Sequence, residues 1–317
     1  MNEVEITSGR LNPLIDPHLT IWGWEIPLYL FLGGLVAGIL FFSTLFYIRG
    51  KEKDYVTAVK KAALLPGPLL VLGLIALFLD LSHKLYVWRF YTDLRLESPM
   101  SWGSWTLLII TPLSFLWGMT WLDDIWPNFH WPVAWLQNLI DYTKKFRKTI
   151  AWTLLIGAII LGMYTGILLS AFNARPFWNS AIMGPLFLAS GLSTGTALIL
   201  LISHSPEEKK LFSKIDIMII GLELFLIIHL FMGFLASTQV HIEAADLFLG
   251  GQYTAPFWVL VVGIGLILPL FIETLEIKGY KVSAKIPALL VLMGGLILRF
   301  IVVDAGQTSR WLYKFME

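Results

Sequence analysis

The stretch Trp22–Gly38, W-G-W-E-I-P-L-Y-L-F-L-G-G-L-V-A-G, decides the fold. Two tryptophans and a glutamate lead straight into an apolar run. Trp22 and Trp24 suit a membrane–water interface, where an indole is half wet and half buried. Residues four apart share a helix face, so Tyr29, Gly33 and Ala37 form one stripe and Gly34 and Gly38 a neighbouring one. Small residues at that spacing let a second helix come close in lipid. The stretch therefore reads as a first transmembrane helix, with Tyr29 near a helix contact just below the surface.

The rest of the sequence has the same character. Of 317 residues, 57% are hydrophobic and 14% charged, and the mean hydropathy is +0.73. An average soluble domain carries roughly 25% charged residues. The net charge of +1 gives no footprint for nucleic acid. There is no cysteine, so the protein holds no disulfide and no cysteine-bound iron–sulfur cluster. Metal carriers of electrons are expected in other polypeptides. The first ten residues lack the basic region and apolar core of a cleavable signal, so the first helix is expected to direct insertion.

A span needs about 20 apolar residues. Eight runs qualify: 26–48, 62–81, 103–123, 149–171, 181–203, 215–236, 255–275 and 286–303. Pro66, Pro68, Pro112, Pro185, Pro269 and Pro287 fall within them, which membrane helices tolerate. Segment 129–143, with Trp131, Trp135 and Leu139 four apart and Lys144, Lys145, Arg147 and Lys148 after it, reads as a short helix lying in the interface. The loops after spans 1, 3, 5 and 7 hold fifteen Lys and Arg residues, the opposite side seven. The positive-inside rule puts the fifteen in the cytoplasm and both termini outside. This divides the protein into an outer segment, 1–25, an eight-helix membrane domain, 26–303, and an outer tail, 304–317. Its expected home is a cytoplasmic membrane that it crosses several times.

Charged groups within a membrane are costly and mark function. Asp80 ends span 2, Tyr164 lies in the outer half of span 4, and Arg299 in span 8, with Asp304 and Gln307 one and two turns beyond. Tyr29, Asp80, Tyr164, Arg299 and Gln307 all fall in the outer third to half of the membrane. One reading pairs Asp80 with Arg299 as a bridge between spans 2 and 8. The other makes Tyr29, Asp80, Tyr164, Arg299 and Gln307 one polar pocket. Glu223, His229 and Glu273 occupy other depths and form a candidate path for protons from the cytoplasm. His229 reads equally as a relay group or a packed core histidine. It is the only histidine deep in a span, which argues against haem.

Several stretches together resemble the NrfD/polysulfide reductase (PsrC-like) family. They are the Trp22–Gly38 run, Ser98-Pro99-Met100-Ser101-Trp102-Gly103-Ser104-Trp105, Tyr164-Thr165-Gly166, Asn173-Ala174-Arg175-Pro176-Phe177-Trp178-Asn179, and Gly294-Gly295, Arg299 and Gly306-Gln307 in the last span. The resemblance covers nearly the whole sequence. It implies a haem-free, all-α anchor of eight transmembrane helices in two four-helix bundles, binding menaquinone or another quinone near the outer surface. It implies a ferredoxin-like iron–sulfur subunit docked on the outer face and, beyond it, a catalytic subunit with molybdopterin; a dimer of such complexes is compatible with it. Polysulfide or sulfur reduction is the chemistry it favours for the complex. The family's quinone-contacting tyrosine falls at Tyr164 and a first-helix contact at Tyr29, where the best-known quinone-bound member has histidine, with asparagine at the position of Ile26. Asp80 and Arg299 match positions commonly acidic and basic. Gly162 and Gly166 are expected to leave room for a flat ring beside Tyr164. The rival reading is a secondary transporter or proton channel using Glu223, His229 and Glu273; a third is an anchor without quinone.

Overall fold

The computed structural model describes residues 22–128, 133–280 and 282–309. Eight long segments organise it: α1 Glu25–Ile48, α2 Pro66–Asp80, α3 Pro99–Met119, α4 Arg147–Ser170, α5 Met183–Ile202, α6 Pro206–Leu235, α7 Leu268–Ile277 and α8 Lys285–Thr308. Among the described residues, seven helical segments are long and apolar enough to cross a membrane, or eight if Thr57–Leu64 and Pro66–Asp80, bent by 41°, are one span. The bend has a local cause. Pro66 has no N–H to continue the ladder, and the turn before it tightens, with Leu65 N bonded to Ala62 O.

Several boundaries differ from the expected spans, and α3 covers Pro99–Met119 rather than 103–123. α6 starts at Pro206 rather than 215, because Ser205 caps it, its Oγ accepting from Glu208 N at 3.4 Å, and Pro206 fits the first turn. α8 runs past 303 to Thr308, so Asp304 and Gln307 are helical. The seventh span opens as a wide π-helix, Pro256–Ile267, before becoming α7.

α1 lies at the centre, packed on α2, α4, α5 and α8; α5 in turn packs on α4, α6 and α8. The two glycine stripes explain this. Gly33 and Ala37 meet Thr165 and Gly162 of α4, while Gly34 and Gly38 cross Gly191 and Gly195 of α5 with backbone against backbone. α2 closes on α3 and α3 on α4; α6 closes on α7 and α7 on α8. Leu72, Ile75, Leu108, Ile156, Phe225, Ile228 and Phe271 face outward, as lipid-facing side chains must.

The two ends of the bundle are held by different means. At one, Trp22 and Gln307 exchange two hydrogen bonds, Trp22 N to Oε1 at 2.9 Å and Nε2 to Trp22 O at 3.0 Å. Arg175 donates to Gln307 O at 2.8 Å, Trp178 to Val302 O at 2.7 Å, and Trp22 stacks on Trp178. Both termini of the membrane domain thus lie at this end. At the other, Glu208 is buried and accepts from Ala58 N and Ser203 Oγ, each at 2.7 Å, and Trp117 donates to Ser43 Oγ at 2.9 Å. Arg147 lies over Trp121 and 3.6 Å from Asp124, which Lys60 also approaches. The expected interfacial helix is present over Ala134–Lys145, with Trp135 and Tyr142 exposed; Trp131 is outside the described residues, as are Lys281, Arg310 and Lys314, and all but the last four residues of the 1–25 segment.

Candidate functional site

At the end where the termini meet, α1, α2, α3 and α4 enclose a cavity of about 290 Å³. Ile26 and Tyr29 line it from α1, Leu74, Leu77 and Asp80 from α2, Met100, Ser104 and Leu107 from α3, and Tyr164 and Leu168 from α4. Val87, Phe90 and Tyr91, from the segment joining α2 to α3, roof it, and Trp22 stands at its edge. Tyr29 and Tyr164 are 4% and 7% exposed, and among the described residues neither hydroxyl has a hydrogen-bond partner. Buried phenols without partners in an apolar slot leave two donors and acceptors free for a ligand. Asp80, half-buried at the rim, adds a titratable carboxyl.

Gly103 positions Tyr164. A Cβ at residue 103 would fall on the phenol carbon and oxygen of Tyr164, so only glycine lets α3 cover that ring. The expectation for Gly162 and Gly166 is corrected here. Gly162 faces Leu188 and Ala37, and Gly166 lies against the backbone of Met183, so both serve the packing of α4 on α5 and α1. The sequence shows Gly103 in a motif without revealing its role, because the residue it accommodates is far along the polypeptide, on α4.

Of the five groups expected to share a pocket, the structure brings three together. Tyr29, Asp80 and Tyr164 line the cavity; Arg299 and Gln307 do not. The Asp80–Arg299 bridge does not form either. Arg299 is 1% exposed and donates through Nη1 to Ser190 Oγ at 2.7 Å and through Nη2 to Phe187 O at 3.1 Å, its guanidinium 4.3 Å from the Phe187 ring centroid. α1 stands between it and the cavity, with Gly34 allowing the guanidinium close approach. Gln307 clasps Trp22 and lines a second, more open cavity of about 490 Å³ with Trp24, Tyr253 and Asp304, where Tyr253 donates to Asp304 Oδ2 at 2.7 Å.

The expected proton path is also rearranged. Glu223 and Glu273 are 1% and 0% exposed, on α6 and α7. His229 faces outward, stacked on Phe225, and is not brought to them. Helix arithmetic accounts for this, since positions six apart fall on different faces whereas seven apart fall on one. The residue seven before Glu223 is Asp216, which is fully buried and was not among the expected site residues. Its Oδ1 accepts from Ser193 Oγ at 2.7 Å. Among the described residues, no group of three or more His, Asp or Glu side chains is placed to hold a metal ion.

The architecture defines a polytopic helical membrane protein with an enclosed cavity at one end of the bundle. The family model for polysulphide reductase, NrfD, matches residues 14–309, and the protein belongs to that family. The C chain of polysulfide reductase from Wolinella succinogenes is 32% identical, with 92% of this sequence and 96% of the relative covered. Protein NrfD of Escherichia coli is 30% identical, with 91% and 96% covered. The C subunit of selenate reductase from Mesobacillus selenatarsenatis is 25% identical, with 93% and 79% covered. At the level the family supports, the protein is a membrane subunit of a respiratory oxidoreductase complex.

Proposed function

We propose that the cavity among α1–α4 is where a membrane quinone exchanges electrons and protons with the complex. The carrying observation is that the buried side chains of Tyr29 and Tyr164, whose hydroxyls have no hydrogen-bond partner among the described residues, line an enclosed slot that also holds the Asp80 carboxyl. A volume of about 290 Å³ lies at the lower bound of small-molecule sites, roughly 300–1,000 Å³, which suits a head ring better than a ring with its tail. Phe78 and Met100, both more than 40% exposed at the wall, mark a side through which an apolar tail would reach lipid. The Tyr164 hydroxyl donates to one ring carbonyl and Tyr29 serves the ring from the facing helix. Asp80, at the rim, gives or takes the proton.

The subunit's partners follow from this reading. A ferredoxin-like iron–sulfur subunit docks over the end where the termini meet, close to the cavity, and passes electrons to or from a molybdopterin catalytic subunit. That relatives are named as the C components of polysulfide, selenate and tetrathionate reductases supports a multi-subunit assembly. The packing of α1 on α2 and α4, and of α5 on α6 and α8, supports two four-helix bundles joined along α1 and α5. The bias of basic residues supports an outer position for both termini.

The test is Tyr164→Phe, which keeps the ring and removes one oxygen. The complex should assemble and retain activity with an artificial electron donor, and lose most quinone-linked activity. A neutral hydrogen bond contributes about 0.5–1.5 kcal/mol, and more where charge develops on the acceptor. Unchanged quinone kinetics with an intact complex would move the site elsewhere.

A further inference from the structure

Where α5, α6, α7 and α8 meet, buried polar groups form a row that the quinone cavity does not use. It begins near the basic end, where Ser213 Oγ of α6 donates to Glu276 Oε2 of α7 at 3.4 Å, and Lys209 interacts with the same carboxylate. Further in, Asp216 of α6 faces Glu273 of α7, each 0% exposed. Ser193 of α5 holds one oxygen of Asp216. Two α6 turns on, Glu223 lies within reach of Ser190, the serine that accepts from Arg299 of α8. The row ends at Arg299, which α1 separates from the cavity.

The Asp216–Glu273 pair poses an electrostatic problem. Asp216 Oδ2 and both oxygens of Glu273 are buried without a hydrogen bond of good geometry, although the two carboxyl groups face each other. The cations of the row are engaged elsewhere: Arg299 with Ser190, Phe187 and Glu223, Lys209 with Glu276. Two adjacent carboxylates out of water cannot both stay ionised, and an unpaired buried charge is strongly disfavoured. One proton between them removes one charge and supplies the missing donor. Glu223 Oε2, an acceptor, and Arg299 Nε, a donor, are also buried and unpartnered, so Glu223 can take a second proton and both groups can bond to water.

We propose that Asp216 and Glu273 form a proton-holding pair, loaded from the basic end of the bundle past Ser213 and Glu276, with Glu223 and Arg299 closing the row on its inner side. The proton adds to one carboxylate oxygen and is shared with the other group; nothing is oxidised or reduced. The site stands apart from the quinone cavity in space, and its test does not use quinone.

The test is infrared difference spectroscopy on the full-length protein in lipid nanodiscs across a pH titration, with isotope exchange in heavy water. The wild type should show the carbonyl band of a protonated carboxylic acid at neutral pH, shifting in heavy water. Asp216→Asn and Glu273→Gln, which keep shape, should each shift that band, because the remaining acid then faces an amide, and the double variant should remove it. Ser213→Ala and Glu276→Gln should keep it but slow its isotope shift several-fold, which a purely structural pair would not show. Absence of the band in the wild type, or its unchanged position and intensity in the double variant, would overturn the proposal. So would its removal by adding sodium ions at constant pH, since the pair would then take a metal cation rather than a proton. Slowing of the isotope shift by neither entrance variant would refute the loading route.

Discussion

Gly103 and Tyr164 show how much one missing Cβ decides. The glycine on α3 leaves space that the phenol of α4 occupies, and the phenol then presents its hydroxyl to the cavity. Gly103→Ala forces the ring to shift, because the added methyl would occupy the place of the phenol carbon and oxygen. The expected outcome is a folded complex with quinone-linked turnover reduced about tenfold or more and artificial-donor activity retained. That tenfold corresponds to about 1.4 kcal/mol of misplaced interaction. Steady-state assays with each donor distinguish this from lost assembly. Gly162→Ala should behave differently, since that glycine touches Leu188, a side chain that can move, and Ala37 rather than Tyr164.

At the scale of elements, the crossing of α1 and α5 is a contact of backbone on backbone. A Cβ at Gly191 would come within 3.0 Å of three backbone atoms of Gly34, which no rotamer change can relieve. Gly191→Ala should push the helices apart and destabilise the subunit by about 1–3 kcal/mol. Thermal unfolding of the purified protein, followed by tryptophan fluorescence, measures this, and a variant as stable as wild type would show the contact to be looser. Glu208 does comparable work at the basic end. Its carboxylate ties α6 to the segment after α1 through Ala58 N and to the end of α5 through Ser203 Oγ. Glu208→Ala leaves a buried N–H unpaired and should cost about 1–3 kcal/mol in the same assay. Easier proteolysis near residues 56–61 would locate the loosened part.

For the whole molecule, topology is the property that sets where partners dock. Lys53 follows α1 at the basic end, and Thr238 follows α6 at the end where the termini meet. Lys53→Cys and Thr238→Cys, made in a protein with no cysteine of its own, should label from opposite sides of an intact membrane, Thr238→Cys from outside. Labelling of both from one side would undo the arrangement and the docking face with it.

Apolar length, basic asymmetry and the glycine stripes of the first span belong to the sequence alone, because lipid imposes them on each helix separately. From them the all-helical membrane architecture, the helix contacts of α1 and the outward-facing apolar surface could be read, whereas the bent second segment makes the described spans seven or eight. Tyr29, Asp80 and Tyr164 were legible for the same reason, as polar groups at matching depth in separate spans. Depth is a coordinate along each helix; angle about the bundle is not. Arg299 has the right depth, yet it turns to Ser190 and Phe187 on the far side of α1, and Gln307 turns to Trp22. His229 lies outside the buried row while Asp216, unremarked in the sequence, sits within it. Which groups at one depth face the same space was decided only when the helices packed, because rotation about each helix axis is set by close contacts with neighbours distant in sequence.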